Sequence, residues 1–248
     1  MSKHRGNYGR ITSIALDPIE KKPLSRFYPG TTVLSVGSYG CTMDCPFCQN
    51  DSIAKVGEND VTWWEMQPEE LVQRARDLSW KRCIGIAYTY NEPLRGWRYV
   101  RDTGRLAHEW GLKNVLVSNG LASPYVLGEV APYIDAANID LKCFTEEGYR
   151  WLRGDLNVVK RTIQTLAELD TCHIEVTTLV VPGLSDDPAQ IDAMTRWLAS
   201  LDSNIPYHLS RYFPRHRMRD VPATSVPLLY ELADVARNNL TDVILGNV

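Results

Sequence analysis

"TTVLSVGSYGCTMDCPFCQN", residues 31–50, decides how the rest of the chain is read. Its first eight residues form an apolar, partly β-branched run of strand length. The remainder packs three of the chain's six cysteines into positions 41, 45 and 48, spaced C-x₃-C-x₂-C, and supplies no fourth. Cysteines at these intervals could share one face of a helix. Pro46 argues against that, because it disfavours the α conformation at Cys45 and removes a backbone donor. The segment therefore reads as a loop that wraps its sulfurs inward. A structural zinc site would close its tetrahedron with a second CxxC or a His pair, and neither is present. An iron–sulfur cluster held by three thiolates would instead leave one iron open. Spacing alone favours the cluster and leaves zinc open.

Working outward, the strand-then-helix order repeats. "CIGIAYTY" (83–90), "KNVLVSN" (113–119), "AANIDLK" (136–142), "CHIEVTTLVV" (172–181) and "PYHLSRY" (206–212) read as strands, with "DVILG" (242–246) as a candidate for one more. Amphipathic segments lie between them; Pro68 with Glu69 and Glu70 opens one helix, with proline in the first turn and acids complementing the dipole. Roughly six βα units result, fewer than the eight that close a full barrel. The expected fold is α/β, either a partial (β/α)6 TIM-like barrel or an open parallel sheet. It forms a single domain over residues 1–248, with 1–30 as an N-terminal extension and 31–246 as the barrel core. In such a fold, ligands sit at the carboxyl ends of the strands. The polar residues found there are Asn91 and Glu92, Ser118 and Asn119, Asp140 and Lys142, Thr178 and His208. Cys83, Cys143 and Cys172 fall at or next to strands and read as small buried hydrophobes.

A chain of 248 residues can bury a core as one domain, and 44% hydrophobic with 23% charged residues is ordinary for a globular protein. The net charge of −3 gives no global attraction to nucleic acid or anionic membrane. "MSKHRGNYGR" has no apolar stretch behind it, and no apolar run approaches membrane-spanning length, so a cytoplasmic location is expected. A reducing compartment in turn makes a tight cysteine cluster a metal or catalytic site rather than a disulfide framework.

With these residues in view, "CTMDCPFC" resembles the C-x₃-C-x-(aromatic)-C signature of the radical S-adenosylmethionine superfamily. "DPIEKKPLSRFYPG", "YTYNEP", "VSNG", "NIDLK", "VVPGLSDD" and "YHLSRYFP", in this order, are similar to the AmmeMemoRadiSam-system radical enzymes, relatives of glycyl-radical-enzyme activating enzymes such as pyruvate formate-lyase activating enzyme. The resemblance implies a [4Fe–4S] cluster on Cys41, Cys45 and Cys48, its open iron chelated by S-adenosylmethionine. It also implies reductive cleavage of that cofactor to methionine and a 5′-deoxyadenosyl radical. The hydrogen abstracted would come from a glycine of a partner protein, with a small molecule or peptide as the alternative target. Glu92 matches the position that meets the methionyl ammonium. Phe47 matches a neighbour of the adenine, and Ser118, Asp140, Lys142 and His208 resemble ribose, carboxylate and adenine contacts. Two departures stand out: the glycine pair common before the glutamate is Tyr90-Asn91, and the acid often found before the "TNG" turn is Val117. No single residue is assigned as catalytic.

"RYFPRHRMRD", 211–220, sets Arg211, Arg215, Arg217 and Arg219 among Tyr212 and Phe213. Such interleaving binds RNA in some proteins and is a solvated face in most. In this enzyme class it also suits a basic rim for a low-potential electron donor such as flavodoxin or ferredoxin. A non-catalytic zinc- or RNA-binding module is the reading from outside the enzyme class.

Overall fold

Every apolar run read as a strand forms one. The computed structural model describes residues 6–248. In chain order its strands are β1 (Arg10–Ile11), β2 (Ser13–Pro18), β3 (Thr32–Gly37), β4 (Trp64–Glu65), β5 (Cys83–Tyr88), β6 (Lys113–Ser118), β7 (Ala136–Asp140), β8 (His173–Val180), β9 (Tyr207–Arg211) and β10 (Val243–Gly246). The α-helices are α1 (Asp51–Ala54), α2 (Pro68–Asp77), α3 (Trp97–Glu109), α4 (Pro124–Val130), α5 (Glu146–Trp151), α6 (Leu156–Ala167), α7 (Pro188–Leu201) and α8 (Val226–Arg237). The helices begin where their sequences dictate. Ser123, Asp155, Asp187 and Ser225 cap the backbone N–H groups of α4, α6, α7 and α8, and proline occupies the first turn of α2, α4, α7 and α8.

One sheet runs in the order β10-β9-β8-β7-β6-β5-β3-β2. All its pairings are parallel except that of β2 with β3. Six βα units in succession followed by a seventh parallel strand make a partial barrel, one of the two architectures that the patterning allows, and "DVILG" is that last strand. β2 lies in the segment read as an N-terminal extension, yet it pairs with β3 along its whole length, from Ser13↔Gly37 to Pro18↔Thr32. As an edge strand it is only half-buried, so its sequence lacks an apolar signature.

The bottom of the barrel is filled by the chain that follows β2. Ile19, Leu24 and Phe27 pack against Val33, Ala87, Val115 and Ala136 on the inner faces of β3, β5, β6 and β7. Polar groups of the inner wall hold this plug: Asn138 Nδ2 donates to the Pro23 carbonyl at 2.8 Å, and the Glu175 carboxylate accepts from the backbone N–H groups of Ser25 (3.0 Å) and Arg26 (2.8 Å). Arg26 also reaches Asp242 at the foot of β10. Glu175 is fully buried and receives His173 and His208 as well. Burial opposes its charge, but these hydrogen bonds win and bring its carboxyl down to about 2. The stability it contributes is therefore present above the usual glutamate range and is lost as pH falls toward 2. Glu175→Ala leaves the histidines and two N–H groups without their acceptor and is expected to destabilise the fold by about 3–5 kcal/mol, read by urea melts at pH 7. A change of under about 1 kcal/mol would show that the plug is held by its apolar contacts alone.

Among the described residues, no helix is long and apolar enough to cross a membrane.

Candidate functional site

The cysteine segment leaves the top of β3 as an irregular loop, as Pro46 requires. Its entry is fixed by Gly40, whose φ of +82° only glycine adopts without strain. Asn91 clamps the same turn: its Oδ1 accepts from Ser38 N at 2.9 Å, and its Nδ2 donates to the Gly40 carbonyl at 3.0 Å. Both polar ends of Asn91 are thus spent on the loop backbone. The exit is held from two other directions. Asp44 N donates to Leu152 O at 2.8 Å, in the turn after α5, and Arg217 N donates to Pro46 O at 2.9 Å.

The arginine-rich stretch is therefore a strap over the cysteine loop. Arg217 Nη2 donates to the Asp44 carbonyl (3.0 Å) and carboxylate (2.9 Å), while His216 and Arg215 pair with Asp51. Arg211 turns away, donating to Thr224 O at 2.8 Å.

Six free thiols are present; Cys83, Cys143 and Cys172 are buried, as expected, while Cys41 and Cys48 are partly exposed and Cys45 is buried. Burial pushes the Cys45 thiol up to about 11, with Cys41 and Cys48 close enough to add to the shift and the Lys142 charge opposing it. Cys41 is raised by burial and by the Glu92 charge. Two donors already aim at Cys41 Sγ, Met43 N at 3.4 Å and Asn119 Nδ2 at 3.5 Å. N–H groups directed at sulfur suit a thiolate ligand and tune an iron–sulfur centre. Among the described residues no group of three His, Cys, Asp or Glu side chains converges as the shell of a single metal ion. A cuboidal cluster imposes a different geometry, since each thiolate takes its own iron corner.

Next to Cys41 stands Glu92, 2% exposed. Its carboxylate accepts from Leu94 N (2.9 Å), Ser118 Oγ (2.8 Å) and Asn119 N (2.9 Å). Burial outweighs the three and pushes its pKa up to about 7. Asn119 links this acid to the loop, because its side chain also donates to Thr42 Oγ1 at 3.1 Å. Across the mouth, Lys142 Nζ donates to Asp140 Oδ2 at 3.0 Å. Burial works against the Lys142 charge, but Asp140 and Cys45 outweigh it and hold its pKa above the ordinary lysine value.

Among the site residues singled out from the sequence, the structure thus brings together the three cysteines, Glu92, Ser118, Asp140 and Lys142. Ser118 faces Glu92. Phe47, 3% exposed, packs into the core with its ring centroid 6.5 Å from that of Trp151. His208 bonds to Glu175, lower in the barrel.

Two inner-wall residues escaped the sequence reading. Thr178 was singled out, but it faces the helices, where its hydroxyl donates to Leu141 O and lies against Met194. Its neighbour Thr177 faces inward, in register with Asp140 on β7 and His208 on β9. Adjacent strand residues point to opposite faces, so a one-residue difference reverses the assignment. The Thr177 hydroxyl is buried and, among the described residues, has no partner. An orphaned hydroxyl costs stability unless a ligand satisfies it, which fits a polar molecule lying along Asp140, Thr177 and His208. Glu175 is the other omission. A lone acid inside the apolar run "CHIEVTTLVV" was the available signal.

Residues 35–194 match the family model described as the Radical SAM superfamily. An uncharacterized protein of Methanocaldococcus jannaschii is 35% identical over 247 residues, covering 97% of this chain and 71% of that protein. A second protein of that organism, named provisionally as a glycyl-radical enzyme activating enzyme, is 23% identical over 89% of this chain and 91% of its own length. Among solved structures, a domain of pyruvate-formate lyase-activating enzyme from Bacteroides vulgatus aligns with a TM-score of 0.56 at 17% identity, covering 65% of this chain and 98% of that one. At that identity the likeness concerns the fold.

Proposed function

We propose a function that proceeds from one premise: this chain belongs to the radical SAM superfamily. It is an enzyme whose cofactors are a [4Fe–4S] cluster and S-adenosylmethionine. We assign the cluster to Cys41, Cys45 and Cys48, which would leave its fourth iron to S-adenosylmethionine. When bound, the two cofactors supply a 5′-deoxyadenosyl radical that takes a hydrogen atom from the substrate.

The protein's own residues orient and shield. Glu92 receives the methionyl ammonium beside Cys41, and Ser118 and Asn119 hold its carboxylate in place by the hydrogen bonds described. Lys142 offers an ammonium to the cofactor carboxylate, and Asp140 accepts from sugar hydroxyls, with Thr177 as a further partner along the same wall. His208 stands beside Thr177 with its ring angle set by Glu175. Phe47 forms an apolar floor near the adenine, and Asn91 acts through the loop it clamps. The plug below keeps water from entering from the bottom of the barrel.

For the substrate we propose a glycine of a partner protein. The observation that carries this reading is the likeness to a protein named for glycyl-radical activation over nearly the whole of both chains. It is supported by a sheet that ends in two unjoined edges, β2 and β10, rather than closing into a sealed cylinder. The test is anaerobic reconstitution, reduction with dithionite in the presence of S-adenosylmethionine, and product analysis. Formation of 5′-deoxyadenosine, with a glycyl EPR doublet appearing on a candidate partner, is the expected result. Stimulation of 5′-deoxyadenosine by a small molecule instead, with no protein radical, would replace the partner protein by a small substrate.

A further inference from the structure

One cation of the cysteine loop has no part in the chemistry described so far. Lys55 follows α1, and its N–H closes that helix on the Asp51 carbonyl at 3.1 Å. α1 is fastened to the start of the loop, because Gly40 N donates to the Ile53 carbonyl at 2.8 Å. The lysine therefore folds back along the loop, with its side chain only 15% exposed. Its Nζ donates to the Met43 carbonyl, midway between Cys41 and Cys45, and lies 3.7 Å from the Asp44 carboxylate. Asp44 is held more closely by Arg217, at 2.9 Å. The closest partner of the Lys55 ammonium is thus a neutral carbonyl, which leaves its charge uncancelled, and its burial shields that charge from solvent screening. The field reaches the sulfurs: burial raises the Cys41 and Cys45 thiols, and the Lys55 charge opposes the rise at both. Lys142 acts in the same sense, but its ammonium is already engaged by Asp140 at 3.0 Å. Glu92 acts the other way at Cys41, and in the proposed complex it is matched by the methionyl ammonium.

We propose that Lys55 sets the reduction potential of the cluster, raising it by holding a buried positive charge against the loop that carries Cys41 and Cys45. The inference rests on the cluster assignment above. One electron passes from the reductant, which is oxidised by one, to the cluster, which is reduced by one, with no bond made or broken. The cluster then carries one more negative charge, and a fixed cation in poorly solvated surroundings favours that state. Lys55 is a positioning residue that acts through the loop. It braces Met43, whose N–H points at Cys41 Sγ from 3.4 Å, and it supplies charge. The two contributions separate by substitution, since glutamine keeps a donor without the charge and arginine keeps the charge.

The test is an anaerobic redox titration of the reconstituted holoenzyme with dithionite and mediator dyes, the reduced cluster being counted by EPR. Lys55→Gln is expected to keep its iron and to lower the equilibrium constant for reduction by about tenfold, about 59 mV for a one-electron couple. Lys55→Arg should stay within about twofold of the wild type. Asp44→Asn removes the acid beside Lys55 and should move the potential the opposite way, upward. A wild-type potential in Lys55→Gln overturns the proposal. So does an equal fall in Lys55→Gln and Lys55→Arg, which would assign the effect to the shape of the brace rather than to charge. If Lys55→Gln takes up no iron, the sign of the Asp44→Asn shift decides, and a potential that stays or falls there overturns the proposal. A wild-type protein that takes up no iron would instead sink the cluster assignment, a failure told apart by the missing chromophore before any potential is read.

Discussion

Cys45→Ala is expected to emerge from anaerobic reconstitution colourless, without the iron or the broad visible absorption of a [4Fe–4S] centre. Of the three loop cysteines it is the buried one, flanked electrostatically by the other two. Two thiolates cannot anchor a cuboidal cluster that normally takes four ligands. The effect is all-or-none rather than graded, because a thiolate is both the ligand and the charge that balances the irons. Cys143→Ala is the control, since that thiol is equally buried but belongs to the core behind Gly148. It should retain full iron at a modest cost in stability. Full iron in Cys45→Ala would remove the assignment of the loop.

Glu92→Ala should keep its cluster and lose cofactor affinity by about tenfold to a hundredfold, the worth of one charge-assisted hydrogen bond. The buried carboxyl also gives this contact a pH signature. With its pKa at about 7, it is largely protonated below neutrality and must lose a proton to receive an ammonium. Affinity should therefore fall by up to about tenfold per pH unit below 7 in the wild type and stay flatter in Glu92→Gln. In the cofactor-free protein the sign is opposite. A carboxyl whose folded pKa is raised contributes stability below its ordinary range, and that stability is lost as pH rises through 7. Between pH 5.5 and 8 the wild type should lose about 2 kcal/mol that Glu92→Gln retains, read by urea melts at the two pH values. Unchanged affinity in Glu92→Ala would detach this residue from the ammonium.

The inner parallel strands were legible because both their faces are covered, which gives β3, β5, β6 and β8 long apolar runs, and the half-buried edge strand β10 still showed its run of Val243, Ile244 and Leu245. β2 was not, because a half-buried edge strand ending in Pro18 carries no such run. At the site, the spacing of Cys41, Cys45 and Cys48 and the polar residues at strand ends were enough to nominate Glu92, Asp140 and Lys142. Spacing does not encode which way a side chain turns, so Thr177 and Thr178 were interchanged. Nor does it encode what a residue far along the chain will claim: His208 reads as a mouth residue until Glu175 is seen beneath it. The strap is the same case, since its arginines look like a solvated run until Asp44 and Asp51 arrive from the other end of the sequence.

That last contact has a consequence for how the protein is made. Arg217 and Asp44 are 173 positions apart, and Arg26 and Asp242 are 216 apart. A nascent chain that has emerged as far as residue 200 has all three loop cysteines outside the ribosome but neither the strap over them nor the strand that anchors the foot of the plug. Contacts of such long sequence separation form late. The three loop cysteines are therefore synthesised long before the residues that come to cover them.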